Sequence, residues 1–566
     1  MNTTKQKTNT PSDVIVHELV QAGVEVVYGI VSIHNMPIYD AIVREGSIRL
    51  IAARGESGAV NMADGYARAT GKLGVVLTST GAGAGNAAGA LTESWNQGTP
   101  LLHITGEVAS DYVGTGKRYI HECKDQLAMM EGASKKAHLL QQPEQTTTLI
   151  KQAIKEAATP PLGPITVSIP TDLQTSIIPD NTILEASSPT KTIAFEDEAD
   201  TFDLPNTLIQ KITQAKRPVI WAGGGVIASG ASDELSQLVE RLQPAVITSE
   251  SGKGAIPENH PLCIGNFTTE AEVEALFRQS DLLISIGTHF RGEETNDWTL
   301  PLPDEHIGIN AEPDALNLNY TVSYGLAGDA KDILQQLNRK LEEQPIAPDQ
   351  AYVEEVKTVR SNVRAALQDA VAPYDQFADG MRRLMPDDAI LVRDVTMPAY
   401  IWGNKLIETY KPRTSIFASG GGIGQGLPTA IGAQIADEDR TVVLIAGDGG
   451  FMVNAGELAT AAQENLPLII VLFDDGGYGI LRYLQTAAYG RTKAVDLNYP
   501  DYAKLCESMG FTAERVESAD TFVQAFDNAI KQRKPAMIIV DMEAVGPTNQ
   551  PYKESEAYIN SFCPGN

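Results

Sequence analysis

The sequence predicts an α/β protein built from three doubly wound, parallel-sheet domains. Strand-like apolar runs alternate with helix-like runs almost throughout the chain, which is typical of parallel sheets covered by helices on both faces. Two polar segments with several prolines, roughly 178–204 and 342–356, interrupt this alternation and have the composition of linkers. The chain has 566 residues, enough for about three domains of ordinary size. We expect domains at 10–185, 200–342 and 357–550.

Eight apolar runs are the expected strands, four in the first domain and two in each of the others. In chain order these runs are VEVVYGI (24–30), LGVVLTS (73–79), PLLHITG (100–106), GPITVSIP (163–170), RPVIWAGGG (217–225), DLLISIG (281–287), RTVVLIAGDGG (440–450) and LPLIIVLFDD (466–475). Ligands of open α/β sheets bind outside the carboxyl ends of the strands. The residues that follow these runs are therefore the first candidates for a functional site.

Composition and charge exclude several classes of function. Lys and Arg number 44 against 72 Asp and Glu, so the formal net charge is −28. A surface this negative binds nucleic acid and anionic lipid poorly, and no apolar run approaches membrane-spanning length. The four cysteines form no CxxC pair, which argues against a zinc site or a disulfide framework. We expect a cytoplasmic, globular protein with a short disordered N-terminal lead.

Glycine-rich segments occur where strands end in the first and third domains. They are STGAGAGNAAGA (79–90) and SGGGIGQGLPTAIGA (419–433). Small residues at such places let a ligand approach the backbone, or simply allow close packing of a helix on a sheet. Two such segments together with an acidic turn favour a ligand site.

The acidic turn belongs to a pair of carboxylates at neighbouring strand ends. In GDGG (447–450), Asp448 follows an apolar run, and Asp475 ends the next one. A helix beginning near Ala455 would direct its positive end toward the same place, which suits phosphate. Two close carboxylates repel each other unless a cation lies between them, and Mg²⁺ that also binds phosphate oxygens meets that need. The alternative is a pair of solvated loop acids.

The spacing of these features resembles a known cofactor motif. GDG, a helix containing GELATAAQENLP, and an apolar strand ending in a polar pair before GGYGI are similar to the thiamin diphosphate motif of the family that includes pyruvate decarboxylase, acetolactate synthase and benzoylformate decarboxylase. In that family the polar pair is usually Asn-Asn, whereas this chain has Asp474 and Asp475. Carboxylate is at least as good a ligand for Mg²⁺ as an amide, but the change adds negative charge beside a diphosphate.

Further segments extend the resemblance over nearly the whole chain. RGESGAVNMADGYARATGK (54–72) is similar to the segment that carries the family's cofactor-activating glutamate, here Glu56. A carboxylic acid at that place stabilises the imino tautomer of the pyrimidine. SGGGIGQGLPTAIG resembles the segment that holds the aminopyrimidine, with Ile423 as the apolar wedge under the cofactor and the Gly421 carbonyl as a hydrogen-bond acceptor. The middle domain, with RPVIWAGGGVIASG, resembles a domain that holds FAD or a nucleotide in some relatives, and here an empty domain is favoured over FAD.

The resemblance assigns the cofactor and metal ligands residue by residue. The implied cofactor is thiamin diphosphate with Mg²⁺. The residues assigned to cofactor binding are Thr396, Gly421, Ile423, Gly447, Asp448, Gly449, Gly450, Asp475, Gly477, Tyr478, Gly479 and Ile480. The implied metal ligands are Asp448, Asp475 and the backbone carbonyl of Gly477.

The same resemblance indicates residues that face the substrate. His34, in GIVSIHNMPIYD, falls where benzaldehyde lyase has a catalytic histidine, although a surface histidine at a helix start is the alternative. His121 stands where acetolactate synthases usually carry glutamine. The expected catalytic residues are Glu56, His34 and His121, and the expected substrate pocket comprises Ile33, His34, Ile480 and Leu484. Ser79 replaces a histidine of benzoylformate decarboxylase, and Leu484 replaces a usual tryptophan of acetolactate synthases.

These observations predict a thiamin diphosphate-dependent decarboxylase or carboligase acting on a 2-oxo acid, an aldehyde or a 2-hydroxy ketone. Acetolactate synthase activity is the alternative within the family. A dinucleotide-dependent oxidoreductase is suggested by GGGVIASG, but the acidic residue expected at ribose-binding distance is missing. A regulator that has lost catalysis is the third alternative, and Glu56 argues against it. In the family, the glutamate and the diphosphate site come from different subunits, which implies a homodimer or homotetramer.

Overall fold

A computed structural model describes residues 9–178, 204–498 and 500–551. The expected N-terminal lead and nearly all of the first expected linker lie outside the described residues. The described strands form three sheets of six, five and six strands, and every pair of neighbouring strands in these sheets is parallel. The predicted fold class is therefore confirmed, and all eight predicted strands are present.

The first sheet has the strand order β2-β1-β3-β4-β6-β5. Its strands are β1 (Val26–Gly29), β2 (Arg49–Ala52), β3 (Gly74–Thr78), β4 (Leu101–Glu107), β5 (Lys136–Leu139) and β6 (Pro164–Pro170). Its helices are α1 (Pro11–Gln21), α2 (Met36–Glu45), α3 (Glu56–Thr70), α4 (Ala82–Gln97), α5 (Gln126–Glu131), α6 (Thr146–Ala158) and α7 (Thr171–Gln174). The β3 and β4 strands are buried along their whole length, as expected for central strands covered on both faces.

The second sheet has the order β11-β10-β9-β7-β8. Its strands are β7 (Pro218–Ala222), β8 (Ala245–Thr248), β9 (Leu282–Ile286), β10 (His306–Asn310) and β11 (Tyr324–Ala327). Its helices are α8 (Asn206–Gln214), α9 (Gly224–Ala228), α10 (Ser232–Leu242), α11 (Ala271–Gln279) and α12 (Ala330–Glu342). Separate apolar clusters lie on the two faces of this sheet.

The third sheet has the order β13-β12-β14-β15-β17-β16. Its strands are β12 (Ile390–Arg393), β13 (Ser415–Phe417), β14 (Val442–Gly447), β15 (Ile469–Asp474), β16 (Thr512–Val516) and β17 (Ala536–Asp541). The helices of this part of the chain are α13 (Gln350–Val371), α14 (Asp375–Leu384), α15 (Gly426–Ala436), α16 (Asp448–Phe451), α17 (Leu458–Gln463), α18 (Gly479–Tyr489), α19 (Tyr502–Ser508), α20 (Ala519–Gln532) and α21 (Met542–Val545).

The second predicted linker is shorter in the structure than in the sequence analysis. Helix α12 ends at Glu342 and α13 begins at Gln350, so only 343–349 is irregular. The start of α13 is held by buried contacts, because Tyr352 and Val353 pack in an apolar cluster with β7 and the Tyr352 hydroxyl donates to the Pro218 carbonyl at 2.8 Å. Polar composition concealed this amphipathic helix start.

The chain divides into two compact units. One contains the described part of Met1–Glu196 together with Ala418–Asp439 and Gly450–Leu468, and the other contains the described part of Asp197–Phe417, Arg440–Gly449 and Ile469–Asn566. No helix within the described ranges has the length and apolar character needed to cross a membrane.

Candidate functional site

The predicted acidic pair lies at the carboxyl ends of two neighbouring strands. β14 and β15 pair in parallel, with Gly447 opposite Phe473. Asp448 is the first residue after β14, and Asp475 is the second of two aspartates that end and follow β15. The strand register therefore brings the two acidic turns to the same edge of the third sheet.

Both carboxylates converge on one backbone amide. The Asp448 Oδ2 atom accepts hydrogen bonds from the amides of Gly476 at 3.0 Å and Gly477 at 3.1 Å, and the Asp475 Oδ1 atom also accepts from Gly477 at 3.1 Å. Asp448 is buried, and burial raises the pKa of Asp475. Gly476 has φ +80°, a backbone conformation that residues other than glycine rarely adopt. The turn thus holds two carboxylates close together in a poorly solvated place.

Glycines around the pair keep space for oxygen ligands. A Cβ on Gly449 would lie 3.0 Å from the Gly477 carbonyl oxygen and 2.7 Å from the Tyr478 ring, and one on Gly447 would lie 2.6 Å from the Thr396 hydroxyl. The Gly477 carbonyl therefore faces the Asp448 turn. Two carboxylates and a carbonyl are an all-oxygen set of the kind that Mg²⁺ prefers. No cluster of three His, Cys, Asp or Glu side chains occurs in the part of the chain that the structure describes, so further ligands would come from phosphate or water.

The Asp-Asp departure from the family pattern has a structural counterpart. Asp474 pairs with Arg515 at 2.6 Å, and Arg515 also pairs with Asp541 at 3.0 Å. The Asp475 carboxylate is 3.9 Å from Arg482. The carboxylate that replaces the first asparagine is thus compensated by an arginine. Arg515 lies some forty residues further along the chain, and sequence reasoning did not connect the two.

The chain after Asp448 differs from the single helix predicted to begin near Ala455. The four-residue helix α16 starts at Asp448, and a 3-10 turn at Ala455–Glu457 precedes α17. Between them the side-chain amide of Asn454 donates to the Gly424 carbonyl at 2.7 Å, which holds the turn against the glycine-rich segment. A Cβ on Gly424 would lie 2.5 Å from the Gly450 carbonyl oxygen. The segment that carries Gly421 and Ile423 therefore lies against the turn that contains Gly450.

The glycine-rich segment 419–425 is also held by helix α4. The Gly420 amide donates to the Glu93 carboxylate at 2.7 Å, and Ser419 bonds to Gln97. Gly421 has φ +77° and nothing within 4 Å of a built Cβ, and Ile423 is 39% exposed. An exposed isoleucine on a segment fixed at both ends is a suitable apolar surface for a bound aromatic ring.

Glu56 begins helix α3, and its neighbours come from the first glycine-rich segment. The side-chain amide of Asn86 donates to Glu56 Oε2 at 3.1 Å, and a Cβ on Gly83 would lie 3.0 Å from Glu56 Oε1. The buried Ser79 hydroxyl lies on the same turn and has no hydrogen-bond partner among the described residues. Gly83 therefore leaves room for the Glu56 carboxylate.

Sequence reasoning missed the carboxylate that holds the start of this helix. Glu457 is buried and accepts hydrogen bonds from the amides of Arg54 at 3.1 Å and Gly55 at 3.0 Å, and from the Thr460 hydroxyl at 2.6 Å. Burial raises its pKa. The sequence contains a signal for this role, since a Gly-Glu pair occurs both at Gly55-Glu56 and at Gly456-Glu457.

The two predicted catalytic histidines contact each other. Their rings meet edge to face with centroids 4.9 Å apart. His34 is buried, at 3% exposed, which contradicts the surface-histidine alternative, and its Nδ1 atom has no partner among the described residues. Burial and the neighbouring His121 lower the pKa of His34. The pair therefore favours a neutral His34 imidazole near pH 7, a form that can accept or relay a proton.

The three apolar residues of the predicted pocket keep part of their surface open: Ile33 is exposed, and Ile480 and Leu484 are half-buried. Ile33 is 58% exposed beside His34. Ile480 and Leu484 lie on helix α18, which has no buried side chain although its sequence is amphipathic. These residues offer apolar surface to a ligand. Helix α18 and the His34 loop belong to different compact units.

Comparison with known proteins identifies the family. Residues 9–129 match the N-terminal binding domain of thiamine pyrophosphate enzymes, 206–337 their central domain and 398–540 their C-terminal binding domain; thiamine pyrophosphate is thiamin diphosphate. A probable acetolactate synthase large subunit of Methanococcus aeolicus is 31% identical, covering 91% of this chain and 89% of its own. The chain belongs to the thiamine pyrophosphate enzyme family. It is a thiamin diphosphate-dependent enzyme of the decarboxylase and acetolactate synthase group.

Two further relatives show the breadth of this enzyme family. A probable 2-ketoarginine decarboxylase of Pseudomonas aeruginosa is 32% identical over 522 residues, covering 91% of each chain. A thiamine diphosphate-dependent 4-hydroxybenzoylformate decarboxylase of Rhodococcus jostii RHA1 has the same fold, with a TM-score of 0.78 at 24% identity over 97% of this chain and all of its own. Thiamin diphosphate enzymes similar to this chain thus differ widely in the substrates for which they are named.

Proposed function

We propose that the chain is a Mg²⁺-dependent thiamin diphosphate enzyme that breaks or makes the carbon–carbon bond next to the carbonyl of a 2-oxo acid. The observation that carries the metal assignment is the convergence of Asp448 and Asp475 on the Gly477 amide, beside the Gly477 carbonyl. An all-oxygen set at the carboxyl edge of a parallel sheet suits Mg²⁺ bound to a diphosphate. Bound thiamin diphosphate supplies the nucleophilic carbon and the electron sink.

The remaining residues assigned to the cofactor divide between its diphosphate and its pyrimidine ring. Gly447, Gly449 and Gly450 would let the backbone approach the diphosphate, and Thr396 lies beside Gly447. Gly421 and Ile423 would contact the pyrimidine and the bend of the cofactor. Glu56 would hold a proton at the pyrimidine ring, with its carboxylate oriented by Asn86.

His34 and His121 would act on the substrate. A neutral imidazole can pass a proton to or from a substrate oxygen near neutrality, and the two rings in contact can share that task. Ile33, Ile480 and Leu484 would provide apolar contacts to the substrate chain and keep water from the reacting carbonyl.

The substrate is proposed at the level of a class. One relative is named for 2-ketoarginine, which is a 2-oxo acid, and several are named for the synthesis of acetolactate, which forms from the 2-oxo acid pyruvate, so a 2-oxo acid substrate suits both activities. Acetolactate synthesis is the second candidate, because acetolactate synthases recur among the relatives. We further propose a cytoplasmic homodimer or homotetramer, with domains at 10–185, 200–342 and 357–550 and no resident FAD.

A substrate panel tests this proposal. The purified chain is incubated with thiamin diphosphate and Mg²⁺ and, separately, with pyruvate, 2-oxobutyrate, benzoylformate and 2-ketoarginine, while carbon dioxide and products are followed by mass spectrometry. We expect cofactor- and Mg²⁺-dependent turnover of at least one acid, with acetolactate as the product if the second candidate holds. Turnover that is equal with and without Mg²⁺ in chelator-treated protein would contradict the metal assignment.

The same assay tests the His34 role. We expect His34→Ala to bind thiamin diphosphate with near-normal affinity and to lose at least about tenfold in turnover, roughly 1.4 kcal/mol. His17→Ala is the control, because this histidine on α1 lies away from the proposed site residues along the chain. Unchanged turnover in His34→Ala would remove His34 from the proposed chemistry.

A further inference from the structure

A buried glutamine connects the turns on which the two contacting histidines rest. Gln126, the first residue of α5, is 3% exposed and has no role in the assignments above. Its Oε1 atom accepts from the Gly81 amide at 2.7 Å and from the Thr80 hydroxyl at 2.8 Å. Its Nε2 atom donates to the Gly106 carbonyl at 2.9 Å and to the Ser168 hydroxyl at 3.1 Å. One side chain thus ties together residues at the ends of β3, β4 and β6.

The orientation of this amide is fixed by its partners. An amide N–H at Gly81 requires an acceptor, and a carbonyl at Gly106 requires a donor, so the oxygen and nitrogen of Gln126 cannot be exchanged. Glutamine meets both needs with one planar group. Leucine would meet neither: the buried Gly81 amide would lose its acceptor, which is costly, and the Gly106 carbonyl would keep only the Thr105 hydroxyl as a side-chain donor, at 3.2 Å.

The two backbone groups held by Gln126 belong to glycines that touch the histidines. A Cβ on Gly106 would lie 2.8 Å from the His34 Cβ, so this glycine is packed directly against His34. A Cβ on Gly81 would lie 2.9 Å from the carbonyl carbon of His121, so this glycine is packed against the His121 backbone. Movement of either glycine would therefore move a histidine.

We propose that Gln126 is a positioning residue that sets the contact between the His34 and His121 rings through Gly106 and Gly81. This inference rests on the proposed function only for the consequence in turnover. The ring contact itself, with centroids 4.9 Å apart, belongs to the protein without any ligand. Loss of the Gln126 bonds should loosen that contact whatever the substrate.

The first experiment measures the ring contact directly. The imidazole titrations of His34 and His121 are followed by NMR in ¹³C-histidine-labelled protein, with each histidine assigned by its own alanine substitution. In the wild type we expect His121→Ala to raise the pKa of His34, because it removes a nearby positive charge. In Gln126→Leu we expect this effect of His121→Ala to be lost. An undiminished effect in a folded Gln126→Leu protein would overturn the proposal.

A matched control separates positioning from general destabilisation. Gln434 is also fully buried, and its Nε2 atom donates to backbone carbonyls at Asp437 and Glu438, which are remote in sequence from the histidines. We expect Gln434→Leu to lower the melting temperature while leaving the histidine titrations and turnover unchanged. Equal changes in the titrations of both glutamine variants would indicate a structural role only and would overturn the proposal.

A conservative variant keeps the test decisive if Gln126→Leu does not fold. In Gln126→Glu, an ionised carboxylate can accept from Gly81 but cannot donate to Gly106, whereas a protonated carboxyl can do both. We expect its turnover, relative to the wild type at the same pH, to be at least tenfold lower at pH 8 and to recover as the pH falls. The charged groups near this position are Glu107 at the end of β4, whose pKa is raised by burial and which shares the Thr80 hydroxyl with Gln126, and Asp125 beside α5.

Turnover on the fastest acid of the panel distinguishes the two proposals. If His34→Ala loses turnover and Gln126→Glu matches the wild type at every pH, the positioning role is wrong and the histidine role stands. If His34→Ala keeps full turnover while the His34 titration changes in the Gln126 variants, the histidine role is wrong and the positioning role stands.

Discussion

At the scale of single residues, the proposed function depends on a few carboxylates whose surroundings differ sharply. Glu56 is only partly buried and accepts one hydrogen bond from the side-chain amide of Asn86, whereas Asp448 is buried and accepts hydrogen bonds from three backbone amides. A carboxylate held in place by several backbone amides suits a bound cation, while a partly exposed carboxyl at a helix start can reach a bound ligand. The two acids are therefore suited to different tasks.

Replacing Glu56 by glutamine should separate proton transfer from binding. Glu56→Gln keeps the shape and the contact with Asn86 but cannot supply an acidic proton. We expect thiamin diphosphate affinity within a few-fold of the wild type and turnover lowered by about 10²- to 10⁴-fold, the usual range for a lost general acid or base. Calorimetry measures the affinity, and Glu18→Gln, on α1, is the control. Wild-type turnover in Glu56→Gln would remove this residue from catalysis.

Substitutions at Asp475 test the metal assignment. Asp475→Asn keeps an oxygen ligand and restores the usual family pair in part, so it should remain active with a small change in Mg²⁺ requirement. Asp475→Ala loses the ligand, and half-maximal activity should require much more Mg²⁺. The measurement is a Mg²⁺ titration at saturating thiamin diphosphate, with Asp496→Ala as a nearby exposed control. Superimposable titrations for Asp475→Ala and the wild type would show that Asp475 is not a ligand.

At the scale of elements, the start of helix α3 depends on a carboxylate from a distant part of the chain. Glu457 satisfies the amides of Arg54 and Gly55 just before Glu56, which is a capping interaction supplied from outside the helix. The packing there is close, because a Cβ on Gly58 would collide with the Glu457 carboxylate. The position of Glu56 is thus fixed by Glu457, a residue that lies far from it in the sequence.

Removing this cap should cost stability and activity together. In Glu457→Ala, buried amides lose their acceptor, and we expect a loss of about 1–3 kcal/mol in the free energy of unfolding. Turnover should fall as well, because Glu56 loses its fixed helix start. Denaturant unfolding measures the first effect, and Glu464→Ala, at the end of α17 and pairing with the partly exposed Arg49, is the control. Full stability in Glu457→Ala would contradict the capping role.

At the scale of the whole molecule, the proposed catalytic groups lie in two compact units of the chain. Glu56 and the histidines belong to one unit, and Asp448 and Asp475 belong to the other. The family resemblance predicts that the glutamate of one subunit serves the diphosphate site of another. Under that prediction, activity would be a property of the assembly.

Subunit complementation tests that arrangement. Glu56→Gln and Asp448→Ala are each expected to be nearly inactive as homo-oligomers. If each site combines the two subunits, a heterodimer of these variants contains one intact site and one doubly altered site, so mixing after mild dissociation should restore activity. The control is a mixture of Asp448→Ala with Asp475→Ala, which leaves no intact site. An inactive mixture with demonstrated subunit exchange would place each active site within one chain.

Much of this protein could be predicted from the sequence because the decisive signals are local. The alternation of apolar runs predicted three parallel sheets, and the glycine–aspartate turns predicted which strand ends carry the site. Strand burial and backbone approach depend on a few consecutive residues, so their pattern is visible in the sequence. The length of α13 was missed because a polar helix start resembles a linker until its buried face is known.

The tertiary structure alone decided which distant side chains meet. It paired Asp474 with Arg515, supplied Glu457 as the cap of α3, and placed Gln126 between the glycines that hold His34 and His121. Each of these is a polar contact between residues that lie 20 to 403 positions apart along the chain. Hydrogen bonds and ion pairs of this kind are set by the packing of whole elements, and no sequence periodicity records them. The sequence therefore determined the fold and the chemistry of the site, while the packing determined how its residues are held.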